Sequence, residues 1–146
     1  MGLDDGCQCL LHFALCPAPV PGMEQAGWGR IINITSPGST RVLPHYGAIG
    51  LSKAVIETLT RYLAVDLAPK GIIVNAVSPG LVPTDAVTAF PVDLQVVFEY
   101  TQNRTPTRRL ATPEDVARVV AFLCSEAAAM IVGQTIMVDG GYGLLA

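Results

Sequence analysis

Tyr46 and Lys53 stand seven residues apart in a stretch free of proline. On an α-helix, seven steps of about 100° bring two side chains to within about 20° of each other, so this phenol and this ammonium share one face. An ammonium near a phenol favours the phenolate, which makes the pair a candidate proton donor on a rigid element. Ser36 lies ten residues upstream and offers a hydroxyl to the same place. Downstream, Asn75-Ala-Val-Ser-Pro-Gly-Leu-Val-Pro-Thr84 contains a Pro-Gly bend, a geometry that brings backbone amides close to a flat ligand. Each feature alone has a plain reading: unrelated Tyr and Lys residues, a serine at a turn, a simple bend.

Elements able to position these groups follow from the hydrophobic pattern. Residues 30–36 (Arg-Ile-Ile-Asn-Ile-Thr-Ser), 71–77 (Gly-Ile-Ile-Val-Asn-Ala-Val) and 134–138 (Gln-Thr-Ile-Met-Val) are apolar, β-branched runs of strand length. Runs that do not alternate are expected of strands buried on both faces of a parallel sheet. Between the first two, residues 47–68 read as one long helix stopped by Pro69 and Gly71. Its apolar residues form two adjoining stripes, Ile49, Ile56, Leu59, Leu63 and Leu67 beside Leu51, Val55 and Tyr62, which predicts burial on two sides, against the sheet and against another subunit. A second helix is predicted after Thr112, where Pro113 and Asp115 complete a capping-box variant ahead of Val116, Val119, Val120 and Leu123. Strand, helix, strand, helix, strand implies right-handed crossovers and an α/β, Rossmann-like doubly wound parallel sheet. In such sheets the ligand crevice lies beyond the carboxyl ends of the strands. Ser36, the start of the long helix and the Pro-Gly bend all fall there. Residues 81–111, with a short helix expected over 92–102, are placed to cover that crevice as a substrate lid.

Composition narrows the partners. Charged residues are 14% of the 146, apolar residues 51%, and the formal net charge is -3. With so little polar surface the chain is expected to hide area against a partner subunit, as a dimer or tetramer. No Lys/Arg cluster marks a nucleic-acid or anionic-membrane surface, so neither is an expected partner. Cys7, Cys9, Cys16 and Cys124 lack the spacing of a zinc site or a disulfide framework; they read as reduced thiols of a cytoplasmic protein, with no metal. The apolar stretch over 9–20 follows Asp4 and Asp5 and is broken by Pro17 and Pro19, unlike a signal peptide, and is too short to span a bilayer. Residues 1–28 form an atypical Pro-rich segment in which Pro17, Pro19 and Pro21 forbid a regular helix and Gly27 and Gly29 mark a turn. Trp28, His12 and His45 read as packing or surface residues. The Asp139-Gly-Gly141 ending reads as a cap on the last strand that also supports subunit packing.

Over residues 29–141 the chain resembles the short-chain dehydrogenase/reductase family. The resemblance rests on Gly29-Arg-Ile-Ile-Asn-Ile-Thr-Ser36, the Tyr/Lys helix, Val74-Asn-Ala-Val-Ser-Pro-Gly80 with Thr84, the segment from Arg108 and Arg109 to Pro113-Glu-Asp-Val116, and Gly133-Gln-Thr-Ile-Met-Val-Asp-Gly-Gly141. Five elements in the right order and spacing make a specific signature. The family's common spacing is Tyr-x-x-x-Lys, but Ile49 stands four residues before Lys53 and has no proton to give. The longer spacing within Pro44-His-Tyr-Gly-Ala-Ile-Gly-Leu-Ser-Lys53 is similar to that of enoyl-acyl carrier protein reductases, closest to the NADPH-using L type. Arg61-Tyr-Leu-Ala-Val-Asp-Leu67 adds to that likeness, whereas Pro37 stands where some of those enzymes carry a further tyrosine. Moving the tyrosine back one turn shifts its hydroxyl by about 4.5 Å along the axis. A carbonyl reductase needs its acid at the oxygen of the carbon that receives hydride, whereas an enoyl reductase needs a donor at the more distant thioester oxygen.

The resemblance implies residue roles. Tyr46 would hydrogen-bond the thioester carbonyl, Lys53 would hold the nicotinamide ribose, and Ser36 would support the substrate oxygen. Pro79, Gly80, Val82 and Thr84 would border the nicotinamide of NADPH, with NADH as the alternative. The substrate would be an acyl thioester on acyl carrier protein. A carbonyl or 3-oxoacyl reductase, and a non-catalytic remnant acting as an assembly partner, are the competing expectations. The Gly-rich Thr-Gly-x-x-x-Gly-x-Gly phosphate turn of the family occurs nowhere in the sequence, so residues 29–146 are expected to be the C-terminal catalytic part of the domain without its dinucleotide-binding half, from a truncated gene, an altered start or a fragment. Exposed strand edges would then favour swapping or aggregation.

Overall fold

The β-branched run Ile72–Pro79 is the central strand of a three-stranded parallel sheet in a computed structural model that describes residues 19–85, 87, 90 and 92–145. Here it is β2, with β1 (Gly29–Ile34) on one side and β3 (Thr135–Val138) on the other. Gly29 to Ile34 pair with Ile72 to Val77, and Ala76 to Pro79 pair with Thr135 to Val138. Ile72, Val74, Ala76 and Val77 have no exposed surface, as expected of a strand covered on both faces. Among the described residues the outer edge of β1 has no strand partner.

Alternate residues of the strands feed two cores. On one face Ile31, Ile72 and Val74 meet Leu63, Ala64 and Leu67 of α2 (Gly47–Leu67), with Val20 and Met23 of α1 (Val20–Ala26) packed beside them. On the other face Ile32, Val77 and Ile136 meet Val116, Val119, Val120 and Leu123 of α4 (Pro113–Leu123). Helices on both faces of a parallel sheet make it doubly wound. The remaining helix, α3 (Leu94–Arg104), starts at Asp93, whose carboxylate accepts from the Gln95 and Val96 amides. It lies close to the expected 92–102.

Two polar stitches hold the sheet in register. Asn75, fully buried, donates to Ile131 O at 2.6 Å and accepts from the Gln134 amide at 2.9 Å, joining β2 to the chain entering β3. Asn33 donates to Thr60 Oγ1 at 2.8 Å and ties β1 to α2. The Thr112–Asp115 capping box forms as predicted. Asp139 caps the end of β3, accepting from the Gly141 amide at 2.9 Å and the Gly143 amide at 2.7 Å.

The two stripes of α2 separate in part: Ile56, Leu59 and Leu67 are buried and Leu51 and Tyr62 are each 70% exposed, but Ile49 of the first stripe is exposed and Val55 of the second is partly buried. Prolines near the N-terminus do not behave as expected: residues 20–26 are helical, with Pro21 in the first turn. The first four amides of a helix have no intrahelical acceptor, so a proline there loses no bond. Gly27 then ends α1 at φ 62°. Residues 1–18, with His12, Cys7, Cys9, Cys16 and Pro17, lie outside the described residues. Trp28 is half-exposed, its Nε1 donating to Glu126 at 2.5 Å, and Cys124 is an exposed free thiol. No helix among the described residues is long and apolar enough to cross a membrane.

Candidate active site

β1 ends at Ile34, and the chain turns immediately at Pro37–Ser39 before reaching α2. This delivers Ser36, Tyr46 and Lys53 to the carboxyl edge of the sheet. Tyr46 donates to Ser36 Oγ at 3.1 Å. Lys53 donates to the carbonyl of Ile34, the last residue of β1, at 3.1 Å rather than to Tyr46. The expected shared helical face is therefore modified. Tyr46 is the N-cap, with φ -111° and ψ 5°, and its side chain turns back toward β1 while Lys53 reaches the strand from inside α2. Both groups converge on the end of β1, but by different routes.

Close approach of the Tyr46 ring depends on two glycines. A Cβ on Gly38 would lie 2.5 Å from Tyr46 Cε1, and one on Gly50 would lie 2.6 Å from the Gly38 carbonyl oxygen. The turn and the helix pack backbone to backbone, and the ring lies over them. His45, immediately before Tyr46, adopts φ 59° in the left-handed region. Phe90 stacks on the same ring, with centroids 5.8 Å apart and planes inclined by 27°. Phe90, from the segment that follows β2, thus reaches the tyrosine. Phe90 was invisible as a site residue in the sequence, because it lies in a segment without periodicity and its only signal is its ring.

The Pro-Gly bend closes the adjoining side. Pro79 ends β2, and the Gly80 amide donates to Val138 O at 2.9 Å. A Cβ on Gly80 would lie 2.9 Å from the backbone of Asp139, so the bend needs glycine to sit against the end of β3. Val82 is partly buried and Thr84 is exposed, its carbonyl accepting from Val87 N at 3.0 Å. A separate cleft of about 400 Å³ beside β3, lined by Thr107, Arg109, Asp115 and Gly140 among others, includes none of these residues. The site is an open sheet edge. Beside that cleft the Arg109 guanidinium hydrogen-bonds the Asp115 carboxylate, which holds that carboxyl well below the usual range and raises the guanidinium.

The donor set fits one end of a nicotinamide dinucleotide. An ammonium carries three N–H donors, and Lys53 spends one on Ile34, leaving two for a ribose diol. The Gly80 bend itself is packed against Asp139 and Val138, so it fixes the edge of the site and leaves the following residues, Val82 and Thr84, to border a flat ring. For the phosphate end, the described strand-to-helix turns carry Ser36–Tyr46 and Pro79–Thr84 and no Gly-rich cradle.

A parallel sheet with helices on both faces, and Ser, Tyr and Lys drawn to the end of one strand, is the C-terminal portion of a Rossmann-like α/β fold. The chain belongs to the short-chain dehydrogenase/reductase family: residues 8–143 match the family model described as Enoyl-(Acyl carrier protein) reductase. It is 41% identical over 124 residues to dehydrogenase/reductase SDR family member 4 of Sus scrofa, covering 85% of this chain and 44% of that protein. It is 42% identical over 119 residues to 1-cyclohexenylcarbonyl-CoA reductase of Streptomyces collinus, covering 81% and 42%. A solved structure of a gluconate 5-dehydrogenase from Beutenbergia cavernae with bound NADP, itself assigned only provisionally, superposes with a TM-score of 0.83 at 37% identity over 90% of this chain and 53% of that one. The chain spans about half the length of the relatives it matches.

Proposed function

We propose that this chain carries the reaction half of an oxidoreductase that reduces the 2,3 double bond of an enoyl thioester presented on acyl carrier protein. The observation that carries this reading is the tyrosine's position: the hydroxyl at the end of β1 comes from Tyr46, ahead of α2, while the position four before Lys53 is Ile49. The description of the matching family model supports it. When bound, a reduced nicotinamide, NADPH or alternatively NADH, supplies the hydride. Tyr46 hydrogen-bonds the thioester oxygen and stabilises the negative charge that develops there, as an oxyanion donor does, until the α-carbon takes a proton from solvent at the open sheet edge and completes the reduction. Ser36 orients the phenol through its 3.1 Å bond. Lys53 holds the ribose, and Pro79, Gly80, Val82 and Thr84 border the ring.

Carbonyl reduction is the second reading, favoured by that same Tyr46–Ser36 bond, which places two hydroxyls where one carbonyl oxygen could meet both. Following NADPH absorbance with crotonyl and acetoacetyl thioesters in parallel separates the two. Faster oxidation with the crotonyl substrate supports the enoyl reading; faster oxidation with acetoacetyl replaces it. Turnover of neither, with no heat of NADPH binding, would favour a non-catalytic assembly partner. The exposed stripe of Leu51, Tyr62 and Val65 along α2 supports a homo-oligomer, dimer or tetramer.

A further inference from the structure

Glu57 is half-buried one turn beyond Lys53 on α2. One of its carboxylate oxygens accepts from Thr35 Oγ1 at 2.9 Å and from Ser39 Oγ at 2.5 Å. Those two residues bracket Ser36. Ser39 Oγ also lies 2.8 Å from the Ser36 carbonyl, and Thr35 Oγ1 lies 3.4 Å from the Lys53 carbonyl. Each hydroxyl has a single proton, and a carboxylate is the stronger acceptor, so Glu57 is where both protons go.

We propose that Glu57 is a positioning residue: by clamping Thr35 and Ser39 it fixes the turn that holds Ser36 against Tyr46. The reason lies in the turn itself. Residues 37–39 make a single 3-10 turn closed by Ser39 N to Ser36 O at 3.1 Å and Thr40 N to Pro37 O at 3.2 Å, with Arg41 N to Pro37 O at 3.0 Å. So short a turn has little stability of its own. It carries Gly38, which is in close contact with the Tyr46 ring, so a shift of the turn moves the serine hydroxyl and the floor beneath the phenol together. The 21-residue α2 is a rigid base, and Glu57 is the side chain that transfers its rigidity to the turn. The significance of the clamp for catalysis rests on the reading of Tyr46 and Ser36 given above; the clamp itself does not.

The test uses the whole chain and two readouts that need no turnover: amide hydrogen exchange at Ser39, Thr40 and Arg41, and the ring ¹³C resonance of Tyr46, assigned through Tyr46→Phe. In Glu57→Ala the three amides should exchange about tenfold faster and the Tyr46 resonance should move while those of Tyr62, Tyr100 and Tyr142 stay. Glu57→Gln keeps one acceptor oxygen and should restore most of both signals. Ser39→Ala, which leaves the carboxylate in place, should reproduce the faster exchange and guards against a Glu57→Ala chain that does not fold. Wild-type exchange and an unmoved Tyr46 resonance in both Glu57→Ala and Ser39→Ala would overturn the proposal. Where thioester turnover is measurable, Glu57→Ala should lower kcat about tenfold or more with KM nearly unchanged; equal changes in KM would overturn positioning. A wild-type chain that turns over no thioester tells against the catalytic readings of the site and not against the clamp, since the exchange and resonance measurements decide Glu57 separately.

Discussion

Tyr46 reaches Ser36 at 3.1 Å because the residue beneath its ring, Gly38, has no side chain. A methyl there would lie 2.5 Å from Tyr46 Cε1, well inside van der Waals contact. Gly38→Ala should therefore displace the ring, destabilise the chain by about 1–3 kcal/mol and depress turnover at least tenfold. Gly47→Ala is the control: a Cβ at that helical position meets nothing within 4 Å, and the melting temperature should hold or rise. Thermal melts of both variants check the contrast.

Removing the phenolic oxygen is the most direct probe of the proposed chemistry. Tyr46→Phe retains the ring that stacks on Phe90 and loses only the bond to Ser36. Turnover of crotonyl thioester should fall by about 10²–10³, the usual loss for one oxyanion donor, with KM little changed. Unaltered turnover would remove Tyr46 from the mechanism.

Acid should act on the start of α4. Asp115 accepts from Arg109 and from the Thr112 amide, and these bonds hold its carboxyl well below the ordinary range. A carboxyl whose folded pKa is depressed stabilises the fold fully above its unfolded value, about 4, and loses that contribution as pH falls towards the folded value. Asp115→Asn should therefore lower the melting temperature at pH 7 and by progressively less as the pH is taken below about 4 to 2, flattening the acid limb of the stability profile. Thr112→Ala, which removes the cap hydroxyl, should cost about 1 kcal/mol at neutral pH.

Asn75 satisfies two backbone groups from a fully buried position. Asn75→Ala removes the partner of the Ile131 carbonyl and of the Gln134 amide, both only partly buried, so each loss should cost about 1 kcal/mol. Urea unfolding should show a loss of about 1–3 kcal/mol, and exchange of the Gln134 amide should accelerate ahead of the rest of the sheet.

The proposed assembly rests on the outer stripe of α2. Tyr62→Glu places a charge among Leu51, Tyr62 and Val65, which are 70% exposed or more. If that stripe is an interface, light scattering should report a smaller particle for the variant than for the wild type, with secondary structure unchanged; equal masses would place any interface elsewhere.

Much was legible before any coordinates. The three strands, the extent of α2 and the Thr112–Asp115 capping box follow from local rules, namely apolar runs, proline and glycine punctuation, and a hydroxyl three residues from a carboxylate. Their order implied a parallel sheet, and the Ser36, Tyr46 and Lys53 types are what motivate the chemistry proposed above. Local rules failed at Pro21, where proline was read as a helix breaker although its missing amide costs nothing in a first turn.

What only the tertiary structure decided is how those groups meet. Sequence spacing placed Tyr46 and Lys53 on one helical face, but Tyr46 lies just outside the helix, and its direction is set by Gly38 and Ser36 across a turn. Glu57 reads in sequence as one more polar position on a helix, and Phe90 as one aromatic in an irregular segment; each acquires meaning from a neighbour brought in from elsewhere in the chain. Periodicity reports which side of an element is apolar, because that depends on residues a few positions apart. Which hydroxyl meets which carboxylate depends on how separate elements dock, and that is settled by packing between residues with no local relation to one another.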